Sequence, residues 1–140
     1  MRISAEDHPA LKAFFVWILE HVLTMMGQWP IKSLEATERK SPANARKGLA
    51  MAIGDFIGML EGLPSDDVAR IDADLSAAGL LTLSEVCGRF SKRLQQIWKH
   101  GVRDETDYYA LRNVVETLPE TEQAPAWGLL AAYEAKAAAR

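Results

Sequence analysis

The chain has 140 residues, 49% of them hydrophobic and 25% charged, with a formal net charge of −3. A chain of this length can bury a core of its own and is expected to form one domain, 1–140; its composition excludes disordered and fibrous classes. The lone cysteine, Cys87, excludes an intramolecular disulfide, so a reducing cytoplasm is the expected setting, and the slightly acidic balance gives no global signal for nucleic acid.

The first predicted element runs from Pro9 to Met26. Leu11, Phe14, Phe15, Ile18, Val22 and Met25 form one helical stripe, while Val16, Trp17, Leu19 and Leu23 fill much of the opposite side. A helix apolar nearly all round belongs inside a bundle, so this segment is expected to be the central element. Asp7 is placed to cap it, and Gly27 followed by Trp29-Pro30 ends it. Glu6 and Asp7 precede the run and Glu20 and His21 break it, which argues against a signal peptide; the uninterrupted stretch Ala13 to Leu19 is too short to cross a bilayer. Residues 31–40 fit either a short helix over Ile31 and Leu34 or an exposed loop.

Ser41-Pro42 starts a second helix, a capping hydroxyl followed by proline, running to about Glu61 with Leu49, Ile53, Phe56, Ile57 and Leu60 inward. Ala50, Gly54, Gly58 and Gly62 recur every four residues as a small-residue ridge. Close packing against the first helix is the expected reason, with a self-association face as the alternative. Ser65 is expected to cap a third helix that stops at Gly79; Asp66 and Asp67 suit its positive end. Thr82 and Glu85 form a capping box opening a fourth helix that continues to His100 and Gly101, with Leu83, Val86, Phe90, Leu94, Ile97 and Trp98 inward. Asp104 or Asp107 caps a fifth, from about Glu105 to Leu118, and a sixth spans about Thr121 to Ala138. No stretch alternates with the period of a strand. The expected fold is all-α, a single-domain bundle of five to six helices around the hydrophobic N-terminal one.

Charge is segregated along the chain. From Val86 to Arg103 there are five cations, Arg89, Lys92, Arg93, Lys99 and Arg103, and no carboxylate; residues 61–85 and 104–122 each carry six carboxylates against one arginine. On one helix over 83–100, Arg89, Lys92, Arg93, Gln96 and His100 would share a face opposite the apolar edge. That stripe is either a solvated face paired with its own acidic neighbours, a docking surface for an acidic protein partner or a second copy of the chain, or a phosphate-binding face. An anionic membrane surface is a further reading. A second cluster, Arg39, Lys40, Arg46 and Lys47, would extend the stripe if the fold joins the two. The third and fourth helices have the outline of a helix-turn-helix, but the acidic third helix would face the phosphates.

Catalytic and metal signatures are missing from the sequence. His8, His21 and His100 occur in no E-x-x-H or H-E-x-x-H spacing, Cys87 has no histidine in its turn, and no glycine-rich loop follows a strand. No cofactor, metal or catalytic residue is assigned. The sequence reads as a helical interaction or regulatory module with Arg89, Lys92, Arg93, His100 and, as an aromatic anchor beside acidic residues, Tyr109 as contact residues. A nucleic-acid-binding regulator using the same stripe is the alternative.

Overall fold

The computed structural model describes residues 2–139, and these are helical without strands. Eight α-helices follow in order: α1 (His8–His21), α2 (Trp29–Lys40), α3 (Pro42–Leu60), α4 (Ser65–Ala77), α5 (Leu83–Phe90), α6 (Lys92–His100), α7 (Glu105–Arg112) and α8 (Glu120–Ala138). Two 3-10 turns, Thr24–Met26 and Val115–Thr117, link α1 to α2 and α7 to α8. The fold class is all-α as expected, but the count exceeds five or six. Residues 31–40 belong to the helix α2, the first helix ends at His21, and the fourth and fifth helices are shorter than the sequence suggested.

Side-chain caps mark four of the eight α-helix starts, and α4 is not among them, because Ser65, expected as its cap, is its first residue after Pro64. Ser41 Oγ accepts from Asn44 N (3.3 Å) and Pro42 occupies the first turn of α3. Thr82 Oγ1 accepts from Glu85 N (3.1 Å) while Glu85 Oε1 accepts from Thr82 N (3.3 Å), which closes the capping box on α5. Asp104 Oδ1 accepts from Asp107 N (2.8 Å) at the start of α7. The expected stops at Gly79 and Gly101 both adopt positive φ. Asp7 stands at the N-cap of α1 but its side chain makes no capping bond there.

The N-terminal helix is not the hub. α3 carries seven buried residues against five on α1, and it packs against both α1 and α2. Phe15 of α1 stacks on Phe56 of α3, ring centroids 5.1 Å apart. α1 buries Leu11, Phe14, Phe15, Ile18 and Leu19, whereas Val16, Trp17 and Val22 are only half-buried and Met25, beyond its end, is 89% exposed. Its other side borders an open cleft with Lys12, Ala13, Val16, Trp17 and Leu80. Its entrance is tied to α2 by Glu38, whose carboxylate lies 2.7 Å from both His8 Nε2 and Lys12 Nζ. Every α-helix contributes to one core cluster, from Ile31 and Leu34 of α2 to Ala126 and Leu130 of α8.

Candidate functional site

The basic segment is two helices rather than one. The chain leaves helical geometry at Ser91 (φ −70°, ψ 123°), whose Oγ accepts from Leu94 N (3.2 Å) and so caps α6. The same hydroxyl donates to Glu61 Oε1 at the end of α3. A serine bonded to a carboxylate thirty residues away thus divides the expected helix over 83–100, and the continuous stripe does not form. Trp98, expected to face inward, is 38% exposed.

The five residues singled out by sequence are dispersed. Arg89 lies on α5, its Nη2 3.2 Å from Asp7 Oδ2 and its guanidinium 4.9 Å from the centre of the Phe90 ring. Lys92, in the first turn of α6, is exposed and has no carboxylate partner among the described residues. Arg93 turns inward: its Nη1 donates to Asp107 Oδ1 (2.7 Å) and its Nε to Glu61 Oε2 (3.2 Å). His100 is exposed in the last turn of α6, where a protonated imidazole suits the helix dipole. Tyr109 is half-buried, edge-on to Tyr108 at 5.5 Å.

The Arg93 cluster joins three parts of the fold. Asp107, buried on α7, also accepts from Arg103 N (3.1 Å), and Arg103 Nε lies 3.6 Å from the same carboxylate. Burial is the largest influence on Glu61, and it raises the pKa despite the opposing effects of Ser91 and Arg93. The Asp107 hydrogen bond outweighs burial at Arg93 and holds that guanidinium even more firmly charged. A guanidinium shared between two carboxylates is a fixed joint between α3, α6 and α7, not a loose surface cation.

Above this joint lies an open groove of about 870 Å³ between α3 and α6. Ala50, Gly54 and Gly58 of α3, with Ile57 and Phe90, give it an apolar, low-walled floor. Lys47, Lys92, Arg93 and Arg103 stand around it together with Asp55 and Glu61, four cations to two carboxylates. Lys47 therefore brings part of the second basic cluster to the same groove as Lys92, while Arg39, Lys40 and Arg46 do not line it. Arg89, His100 and Tyr109 also lie outside it.

The small-residue ridge is the signal that marks this groove, but its expected role is corrected. Its glycines Gly54 and Gly58 line the open groove, while Ala50 is buried. A Cβ at Gly58 would meet nothing within 4 Å, and Gly54 is only half-buried. Gly62 leaves the ridge altogether: at φ +85° it forms the turn after α3, where a Cβ would sit 2.9 Å from Thr106 Cγ2. Met51, 73% exposed on α3, completes the groove wall and was not singled out from sequence.

Elsewhere, Met25, Met26 and Trp29 project at the α1–α2 corner, and Trp127 lies beneath Arg112 at 5.0 Å. Burial, reinforced by Glu61 and Asp72, pushes the Cys87 thiol well up, which removes its nucleophilic form at neutral pH. Among the described residues no group of three or more His, Cys, Asp or Glu converges where a metal ion would be held, and no helix is long and apolar enough to cross a membrane. No family model, curated protein or solved structure matches the chain.

Proposed function

We propose that the protein is a non-catalytic interaction module that docks an acidic helical segment of a protein partner in the groove between α3 and α6. The observation that carries this reading is an apolar, glycine-floored channel lined by Lys47 and Lys92, neither paired with a carboxylate among the described residues. Glycine inside a helix costs about 1 kcal/mol relative to alanine. At Gly58 no neighbour within the chain makes use of the missing side chain. Access for a second backbone accounts for that cost, and the lysines steer a negatively charged segment and set its register. Arg93 holds the wall in place instead of meeting the partner, and Arg89 is occupied by Asp7. None of the three histidines lines the groove, and Cys87 is buried, so the groove presents neither a histidine base nor a thiol nucleophile.

A labelled, glutamate-rich amphipathic helical peptide tests the reading by fluorescence anisotropy. Binding should weaken with salt and fall at least tenfold in K47E/K92E or G58L. Equal affinity in the parent and both variants would refute it. The alternative is nucleic acid, favoured by Lys47 and Lys92 lining one groove from two different helices. It predicts duplex retardation that collapses steeply with salt and is lost in K47E/K92E but kept in G58L, because phosphates do not need the apolar floor.

A further inference from the structure

We infer that the acidic helix the groove accepts is α4 of a second copy of this chain. The inference rests on the groove reading above and names its partner. α4 presents Ala69, Ala73 and Ala77 as exposed residues one turn apart, with the exposed carboxylates Asp66 and Asp74 alongside. Neither of those two carboxylates has a basic partner within 4.0 Å among the described residues, unlike Asp67, which holds Arg70 at 2.8 Å. The charges are complementary in sign. Asp66 and Asp74 answer the ammonium groups of Lys47 and Lys92. Alanine side chains projecting from α4 fit a floor that glycines leave low, so the two backbones approach closely with apolar contact between the charged flanks. The other acidic helix, α8, also exposes small residues, Ala124, Gly128, Ala131 and Ala135, but Trp127 beside them is 42% exposed, Glu134 accepts from Tyr108, and the remaining carboxylates, Glu120 and Glu122, are confined to the first turn, so they do not flank the small residues at both ends. Groove and ridge are different patches, so each copy gives one and receives the other.

Sedimentation velocity of the full chain over a range of protein and salt concentrations tests this, with far-UV circular dichroism to confirm that each variant is folded. The parent should associate reversibly, and less so at high salt. K47E/K92E removes the groove and keeps the ridge; A73W/D74K removes the ridge and keeps the groove. Each variant alone should sediment as a monomer, whereas their equimolar mixture should restore a dimer that grows no further. A parent that stays monomeric throughout, while the glutamate-rich peptide still binds the groove, would overturn the self-partner and leave the groove reading standing. Failure of both measurements overturns both. Association of the parent that survives K47E/K92E places the contact elsewhere and overturns the inference.

Discussion

Replacing Asp107 by alanine removes the residue on which the α6–α7 joint turns. Its carboxylate is 1% exposed and accepts from Arg93 Nη1 at 2.7 Å and from Arg103 N at 3.1 Å. A hydrogen bond to a charged group contributes about 1.5–3 kcal/mol, and the part-buried Arg103 amide left without an acceptor adds a cost at the low end of about 1–3 kcal/mol. Stranding a fully buried cation would add more, but the Arg93 side chain is 37% exposed and keeps Glu61, so it can rehydrate. Removing the buried carboxylate also returns its own desolvation cost. The net loss in D107A is therefore about 3 kcal/mol, a large share of the roughly 5–15 kcal/mol that holds a domain. For a chain of this size that lowers Tm by about 10 °C. D107N keeps an acceptor for the Arg103 amide and should lose about half as much, about 1.5 kcal/mol. Urea titrations followed by tryptophan fluorescence give both values. A D107A loss below about 1 kcal/mol, or D107N as damaging as D107A, would refute the assignment of a structural role to this ion cluster.

Three further outcomes follow from the same geometry. G58A should stabilise the fold by about 0.5–1 kcal/mol, since alanine favours helix and meets open space there, whereas G62A should cost more than about 1 kcal/mol because of positive φ and Thr106; thermal melts of the two variants should move in opposite directions. S91A removes the α6 cap and a hydrogen bond to the half-buried end of α3, and should cost about 1–2 kcal/mol in chemical denaturation, against no more than about 0.5 kcal/mol for a change at exposed Lys92. Burial raises the pKa of Glu61, so the native state keeps a proton that the unfolded chain releases. Between the ordinary carboxylate value of about 4.3 and the raised one, this contribution to stability declines as pH increases, and the decline should be absent from E61Q. Glu38 has the opposite sign. Burial is the largest single influence and pushes it up, but hydrogen bonds and charge from Lys12 and His8 together prevail, so its contribution is lost as pH falls through the lowered value and should be missing from E38Q.

The amino-acid sequence by itself determined the helical class and several helix boundaries. Ser41-Pro42, the Thr82–Glu85 box and the Asp104 cap each act within four residues, and Gly79 and Gly101 stop their helices locally, so short-range chemistry suffices to read them. The apolar period also located most of the core, Phe14, Ile18, Ile53 and Leu111 among it. It could not rank α1 against α3, because a period reports that a face is greasy and not which neighbour covers it. Only the tertiary structure decided the break at Ser91, which depends on Glu61, and the capture of Arg93 by Asp107 and of Arg89 by Asp7 across 82 positions of chain. The same holds for the groove. A glycine ridge reads alike whether a helix of the same chain fills it or it stands open, and Lys47 and Lys92 line one groove only because the fold brings α3 and α6 to its two sides. Capping is settled between adjacent turns; ion pairing and surface shape are settled by which distant elements the core brings together.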